Sequence, residues 1–391
     1  MLTYIYILYI MKNFISIFCI LGNSLLFSQN INVKDYGATG NGIKDDTPFF
    51  LKAINDINQK YASKNKHSVL YIPSGIYLIS KPIVLNKYIS VMGEFVNNTV
   101  LRTKSTDTEL IIFEKNYKEN EIYNGYNYFK NISLQGPDYK DSNDPFKNRT
   151  VGSEVKKSVG IKVYGLRTRI EDVQIEGFLN SGIEIRGSYY TFIKNNFIIN
   201  NGIGVLIDDI STSVYLTNSE LRHNSIAVVI NGHSFANFIN NNMIESNVTN
   251  FKSFDKSTTN ENIFSGGRGI VIKDASHNIV NNNYFENHFV NITVDNGNKN
   301  IFSNNFITLS DNTLNAEKNQ VSFQLLGNST NNIFENNSTF PTKENINPNK
   351  ILIGNGNYSS NYINIGEDNK KLKIELQKST KEVEKLPKIH D

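Results

Sequence analysis

The sequence predicts an all-β fold, a parallel β-helix that is capped at its N-terminal end by a helix. Composition is the first indication, because Asn, Ile, Tyr and Phe are abundant and Trp is absent. Asn tolerates left-handed turns, whereas Ile, Tyr and Phe favour strands. A repeat of 22 or 23 residues with Asn at a fixed position is the second indication. The third is an amphipathic segment that precedes the repeats.

The N-terminus has the pattern of a secretion signal. Met11 and Lys12 supply a positive start, residues 14–27 are apolar, and Ser28 is a small residue at a plausible cleavage point. We therefore expect residues 1–28 to be a signal peptide and the protein to be secreted, periplasmic or attached to the cell surface. Cys19, the single cysteine, would leave with this peptide. After cleavage we expect no membrane association.

The segment INVKDYGATGNGIKDDTPFFLKAI at residues 31–54 predicts turns followed by a helix. Thr47 is a suitable N-cap and Pro48 suits the first helical position. Phe50, Ile54 and Ile57, together with Tyr61, then fall on one helical face. We expect a helix over residues 47–61 that covers the open end of the β-helix core, with the first strands following in residues 69–85.

The repeats begin near residue 129 and share two columns of residues. An apolar column lies three residues after a polar column, and a second strand such as GIKV, GIEI or GIVI recurs between the aligned segments. This period with several short strands is typical of a parallel β-helix, in which stacked Asn side chains bond along the axis. The polar column consists of Asn131, Asp172, Asn195, Asn218, Asn241, Asn282, Asn304 and Asn336.

The sequence VKDYGATGNGIKDDTPFFLKAI followed by VLYIPSGIYLIS resembles the N-terminal signature of the pectate-lyase-like superfamily. That superfamily contains right-handed, single-stranded parallel β-helices, among them polygalacturonases, polysaccharide lyases and phage tailspikes. The resemblance implies a β-helix domain over residues 29–365 and a polysaccharide as the partner. Residues 366–391 then form a charged C-terminal tail.

Loop lengths predict a lateral groove across the coils. Three connections at one corner of the coil are long, at residues 137–158, 247–268 and about 309–320. The coils between them have short turns at the same corner. Projecting walls with short turns between them would hold an extended polymer. From these walls and the intervening corner we expect the substrate-binding residues Asn200, Asp144, Arg149, Asp255 and Arg268.

The position four residues after the polar column carries most of the candidate catalytic residues. Adjacent rungs of a β-helix lie about 4.8 Å apart, so Arg222 and Glu245 should be neighbours, with His223 beside them and Glu286 one rung further. We also include Glu176, which lies three rungs from Glu245. Ion pairing between adjacent strands is the structural alternative for these residues.

Two reactions are compatible with these side chains. A β-elimination needs a cation such as Arg222 against a uronate carboxylate and a base such as His223. A hydrolysis needs two carboxylates, and Glu245 and Glu286 suit the shorter spacing of a retaining enzyme. The residues at the positions of the polygalacturonase acids are 179–181 and 200–201, and none is acidic. Elimination is therefore slightly favoured over hydrolysis.

The remaining features narrow the function class. Charged residues nearly balance, at +3, which argues against nucleic-acid binding. No His pair has zinc-ligand spacing, so we expect no metal or other cofactor, with Ca²⁺ compatible with a lyase. The expected partner is a polysaccharide, acidic rather than neutral, and an oligomer is left open. The alternative to an enzyme is a non-catalytic glycan-binding or structural surface β-helix.

Overall fold

The chain folds into a right-handed parallel β-helix with one N-terminal α-helix, as the sequence predicts. The structure is a computed structural model that describes residues 30–115, 126–139, 157–247, 264, 266–309, 321–341, 350–353, 362–364, 373–376 and 388–390. The predicted signal peptide lies outside these residues, as does most of the predicted tail. Within the described ranges no helix is long and apolar enough to span a membrane.

The elements have the following bounds. Helix α1 spans Thr47–Lys60, and short 3-10 helices span Val33–Tyr36 and Ala62–Lys64. The first strands are β1 (Asn30–Asn32), β2 (Asn41–Asp45), β3 (Ser68–Ile72), β4 (Gly75–Leu78), β5 (Ile83–Leu85), β6 (Ile89–Gly93), β7 (Thr99–Arg102), β8 (Glu109–Phe113), β9 (Tyr128–Gln135) and β10 (Val159–Val163). Next come β11 (Arg169–Glu176), β12 (Ser181–Arg186), β13 (Phe192–Lys194), β14 (Phe197–Ile199), β15 (Ile203–Asp208), β16 (Tyr215–Thr217), β17 (Glu220–Arg222), β18 (Ile226–Ile230), β19 (Phe238–Asn240), β20 (Met243–Glu245) and β21 (Arg268–Lys273). The last are β22 (Ile279–Asn281), β23 (Tyr284–Glu286), β24 (Val290–Asp295), β25 (Ile301–Ser303), β26 (Phe306–Leu309), β27 (Val321–Leu326), β28 (Ile333–Glu335), β29 (Ser338–Pro341), β30 (Lys350–Ile353), β31 (Tyr362–Asn364), β32 (Lys373–Leu376) and β33 (Lys388–His390).

Each regular rung contains two short strands and one longer strand. In one rung these are β13, β14 and β15, and each pairs in parallel with its equivalent in the next rung, β16, β17 and β18. The short strands belong to one bent sheet, whereas the longer strands form a second, 11-stranded sheet. The apolar core lies between these sheets and runs through the described rungs.

The helix packs over the N-terminal end of this core. Phe50, Ala53, Ile54 and Ile57 are buried and belong to the same apolar cluster as the strands. The predicted N-cap is displaced by one residue, because Asp46 precedes the helix and Thr47 is already helical. The side chain of Asp46 makes no cap bond to the helix, since its carboxylate accepts from the backbone N–H groups of the preceding turn, at residues 39 and 40.

The aligned polar column forms the bend between the two short strands of each rung. Its members all have φ between 51° and 59°, a left-handed conformation that Asn and Asp tolerate best among non-glycine residues. In the rungs from Asp172 to Asn304 these side chains are exposed. Among the described residues, the axial bonding predicted for this column occurs once, where Asn195 Nδ2 donates to Asp172 Oδ1 at 3.3 Å, and most of it belongs to the next residue, whose side chain is buried.

The buried Asn ladder therefore begins at Asn196 and includes Asn242, Asn283, Asn305 and Asn337. The side chain of Asn242 is representative: Oδ1 accepts from the Ser219 N–H at 3.0 Å, and Nδ2 donates to Leu216 O at 3.0 Å. Nδ2 also lies 3.0 Å from Asn283 Oδ1 in the next rung. The ladder satisfies backbone groups at a bend that has no strand partner for them.

Candidate functional site

The predicted catalytic column is a continuous row along the bent sheet. Strand register pairs Ile199 with Arg222, Arg222 with Glu245, and Glu245 with Glu286. The predicted adjacency is thus confirmed, and Glu176, which pairs with Ile199, lies three rungs from Glu245. At about 4.8 Å per rung, that separation of about 14 Å is too large for Glu176 and Glu245 to act on one bond.

Arg222 is held between two carboxylates. Its Nη1 lies 2.9 Å from Glu220 Oε1, and its Nη2 lies 3.1 Å from Glu245 Oε1. Glu220 comes from the same strand, two residues earlier, and its side chain therefore points to the same face. The guanidinium thus already faces two negative groups of the protein.

Glu245 has a raised pKa. Burial is the largest cause, and its side chain is 19% exposed. The carboxylates of Glu286 and Glu220 raise the pKa further, whereas Arg222 lowers it. Glu286 in turn accepts a hydrogen bond from the Tyr284 hydroxyl, with 2.6 Å between Oη and Oε2. The two carboxyl groups on neighbouring rungs therefore have different surroundings.

The other described candidates occupy different settings. Glu176 and Asn200 are both buried, and Asn200 Nδ2 donates to Glu176 Oε1 at 2.7 Å. This hydrogen bond joins two adjacent rungs of the β-helix. His223 has φ of 53° and its N–H donates to Glu245 O at 3.4 Å, which makes it part of the turn after β17. Sequence alignment correctly placed His223 beside the row but did not reveal this turn conformation.

Arg268 does not reach the predicted groove. Its side chain is 1% exposed and lies at the start of β21, in the second sheet. Nε donates to Thr293 Oγ1 at 3.2 Å and Nη1 donates to Gly266 O at 3.0 Å. Burial lowers its pKa to about 10. Because its side chain is buried, the prediction that Arg268 binds substrate is wrong.

The other predicted substrate-binding residues, Asp144, Arg149 and Asp255, lie outside the described residues.

A cleft of about 750 Å³ lies beside the row of candidate residues, at the concave bend of the sheet. Its position differs from the predicted groove, which was placed at the corner after the row. Most residues of the predicted groove walls lie outside the described ranges. We call this cleft the trough. It is lined by Val96, Asp172, Val173, Asn195, Asn196, Phe197, Asn218, Ser219, Glu220, Asn241 and Met243.

A second cluster of charges was missed by the sequence analysis. On the second sheet, Lys162 Nζ lies 3.2 Å from Glu109 Oε1 and 3.6 Å from Glu184 Oε1. Arg186 pairs with Glu184 and also with Asp208, whose Oδ2 lies 2.9 Å from Nη1. A charged residue between apolar ones, as in GIKV and GIEI, was the available signal.

The described residues contain no group of three His, Cys, Asp or Glu side chains arranged for a metal ion.

Comparison with known proteins gives a family for this chain. The family described as "Rhamnogalacturonase A/epimerase, pectate lyase-like" matches residues 30–231, just over half of the chain. A glucan 1,3-beta-glucosidase of Cochliobolus carbonum is 36% identical over 88 residues, which are 21% of this chain and 11% of that protein. An uncharacterized SPbeta prophage-derived protein of Bacillus subtilis is 26% identical over 251 residues, 61% of this chain and 34% of that protein. The chain thus matches about a tenth of the fungal relative and a third of the prophage protein.

Solved structures share the fold at low identity. DFA-IIIase from Arthrobacter chlorophenolicus A6 without its lid has a TM-score of 0.62 at 13% identity, covering 91% of this chain and 100% of that one. An exopolygalacturonase from Thermotoga maritima has a TM-score of 0.56 at 14% identity, covering 86% and 88%. At such identities these similarities show the β-helix architecture and not the reaction.

Proposed function

Since the chain belongs to the rhamnogalacturonase A/epimerase, pectate lyase-like family, we propose that it is an enzyme that hydrolyses a polysaccharide outside the cytoplasm. Glu245 is the proposed proton donor and Glu286 the proposed nucleophile. The observation that carries this assignment is the raised pKa of Glu245 beside a second carboxylate on the neighbouring rung. Names of relatives such as glucan 1,3-beta-glucosidase and exopolygalacturonase support a polysaccharide as the substrate.

The two glutamates suit the roles of a retaining glycosidase. Such enzymes hold their carboxyl groups about 5 to 5.5 Å apart, and adjacent rungs are spaced at about 4.8 Å. Glu245, with its raised pKa, would give a proton to the leaving oxygen while Glu286 attacks the anomeric carbon. Water would then release the sugar from Glu286, with Glu245 taking the proton back. The Tyr284 hydroxyl bonds Glu286 Oε2 and fixes the orientation of this carboxylate.

The surroundings of Arg222 favour hydrolysis over elimination. The sequence placed elimination slightly ahead because the polygalacturonase acids are missing and Arg222 and His223 lie in their place. In the structure both terminal nitrogens of Arg222 face protein carboxylates, those of Glu220 and Glu245. A uronate would have to compete with these partners and would also meet the charge of Glu286. Hydrolysis makes no such demand on the guanidinium.

A product assay tests the proposal directly. The protein would be incubated with a panel of neutral and acidic polysaccharides, and products followed by reducing-end release and by ultraviolet absorbance of unsaturated uronates. We expect reducing ends without absorbance. Glu245→Gln and Glu286→Gln should each lower the rate by about a hundredfold or more. Glu335→Gln, in another strand of the same sheet, is the matched control and should keep full activity.

Other results would overturn the proposal in distinct ways. Absorbance together with reducing ends would identify a lyase. Glycan binding without any product would support the non-catalytic alternative. Full activity in the Glu245→Gln protein would remove the assigned proton donor, even if hydrolysis itself were observed.

A further inference from the structure

We propose that the trough is a binding site for an extended, uncharged glycan that lies parallel to the β-helix axis. The inference rests on the proposed function in one respect, because it places the glycan beside the strand that carries Glu245. Binding itself depends on the trough residues alone. Four features carry the inference: the floor, the wall, the charge and the direction of the cleft.

The floor is a row of exposed polar side chains at the sheet bend. Asp172, Asn195, Asn218 and Asn241 line the trough, one from each of four successive rungs. Their left-handed backbone places these side chains in solvent, while the following residue of each rung is buried. A carboxamide has two N–H donors and an acceptor oxygen. Asn195 uses one N–H on Asp172 Oδ1 at 3.3 Å, and Asn218 Oδ1 accepts from Thr217 Oγ1 at 3.3 Å. Sugar hydroxyl groups also both donate and accept, so a row of amides matches a hydroxyl-rich chain better than an apolar one.

The wall next to the floor is partly apolar. Phe197 and Met243 line it, and Met243 is 45% exposed to solvent. Val96 from a different part of the chain also lines the cleft, near the rung of Asp172. Sugar rings have apolar faces of C–H groups as well as hydroxyl edges. A cleft with amides on its floor and apolar side chains on its wall can contact both surfaces of such a ring.

The charge of the trough disfavours an acidic polymer. Its charged lining residues are Asp172 and Glu220, both acidic, and no Lys or Arg is among the described residues that line it. Glu220 is paired with Arg222, which is itself shared with Glu245. A uronate or sulfated chain would place further negative charge against Asp172 without a cation to offset it. The sequence led us to expect an acidic polysaccharide, and the trough favours a neutral one.

The direction of the trough makes it run beside the carboxylate pair. The floor residues succeed one another along the stack of rungs, so the trough spans about 14 Å parallel to the axis. Its last rung contains Asn241 and Met243, and Glu245 belongs to that same strand, β20. Glu286 follows on the next rung. Met243 and Glu245 are two residues apart on the same face of β20, so a glycan in the trough would run alongside the column of Glu245 and Glu286.

Glycine substitutions provide a clean test, because glycine accepts the left-handed backbone and removes only the amide. The paired change Asn195→Gly with Asn218→Gly would be compared with Asn304→Gly with Asn336→Gly, which lie on the same column beyond the trough. All proteins would carry Glu286→Gln to prevent turnover. Binding of neutral gluco-oligosaccharides and of oligogalacturonates would be measured by titration calorimetry, and folding by circular dichroism.

We expect neutral oligosaccharides to bind and oligogalacturonates to bind more weakly. The trough pair should lose about tenfold in affinity, and the control pair should change by less than about twofold. Unchanged affinity in the folded trough pair, preference for the acidic oligosaccharide, or failure of every neutral one to bind would each overturn the inference. Binding that depends on the trough in a protein without hydrolytic activity would instead refute the proposed reaction and leave the binding site intact.

Discussion

Arg222 links Glu220 and Glu245 across two adjacent strands, with nitrogen–oxygen distances of 2.9 and 3.1 Å. Burial and the neighbouring carboxylates of Glu286 and Glu220 raise the pKa of Glu245, and the positive charge of Arg222 opposes them by lowering it. Arg222 thus limits how far the pKa of Glu245 rises. In the proposed hydrolase, it is a positioning residue that sets the pH range over which Glu245 carries its proton.

Removal of Arg222 should therefore shift the pH profile of the enzyme. Activity that needs protonated Glu245 falls as the pH rises through the pKa of that group. Because Arg222→Met raises this pKa, the alkaline limb of kcat/KM should move to higher pH, by about one unit. Arg102→Met is the matched control, since Arg102 donates to Gln135 in the same row, at a distance from Glu245. A limb that stays in place, or moves to lower pH, would refute the coupling.

The fold could be predicted because its signals recur in every rung. An apolar residue three positions after the bend and an Asn or Asp at the bend define a coil, and the observed register repeats that alignment. What the sequence could not decide was which Asn of a pair such as Asn241-Asn242 is buried. Asn is acceptable both in a left-handed turn and in an internal ladder, so identity alone does not show where each side chain points.

The sequence predicted which candidate residues are neighbours, but it did not predict the contacts and the burial of their side chains. Alignment correctly placed Arg222, Glu245 and Glu286 on successive rungs. It did not reveal that Glu220 shares Arg222, or that Arg268 is buried, because both depend on how side chains pack. Nor did it show that the cleft lies at the concave bend, which depends on the angle between strands.

The buried Asn ladder should contribute strongly to stability. Asn242→Ala would leave the Ser219 N–H and the Leu216 carbonyl without their partner and break the contact to Asn283. Each unsatisfied buried group costs about 1 to 3 kcal/mol, so we expect a loss of about 3 kcal/mol in the free energy of unfolding, measured in urea. Asn241→Gly, one residue away in the exposed column, should cost about 1 kcal/mol or less. Equal losses would show that the ladder has no special role.

His288 should make stability depend on pH. It is fully buried, Nε2 lies 3.0 Å from Asn247 Nδ2, and Nδ1 lies 3.0 Å from Asn291 Oδ1, so it ends a second internal ladder as a neutral ring. Burial lowers its pKa from 6.5 to about 4, against the opposing effect of Asn291.

Between those pH values the unfolded chain binds a proton that the folded chain does not. The contribution of neutral His288 to the free energy of unfolding is therefore fully present above about pH 6.5. It is lost as the pH falls towards 4, and the total loss is about 3 kcal/mol. Unfolding free energies measured across this range should show a smaller slope in His288→Asn than in the parent protein. His277→Asn, at an exposed position, should leave the slope unchanged. Identical slopes in all three proteins would contradict the assignment.

Glu184 should be the most sensitive residue of the charge cluster on the second sheet. Its side chain is 2% exposed and faces both Lys162 and Arg186. Burial by itself lowers the pKa of Lys162, yet Glu184 and other neighbours reverse this and the pKa is raised. Glu184→Ala would remove the anion that both cations share, so that, among the described residues, Lys162 would keep only Glu109 and Arg186 only Asp208 as ion-pair partners. Because each cation keeps one carboxylate, we expect a loss of about 2 kcal/mol in the free energy of unfolding, less than for a buried charge without any partner.

Two further variants separate this effect from a general loss of packing. Glu109→Ala removes a more exposed carboxylate from the end of the same cluster and should cost about 1 kcal/mol or less, because Lys162 keeps Glu184. The combined change of Lys162, Glu184 and Arg186 to Met removes all three charges, so it should recover much of the stability lost in Glu184→Ala. If the triple variant were less stable than Glu184→Ala, lost packing rather than the lost shared anion would explain the effect.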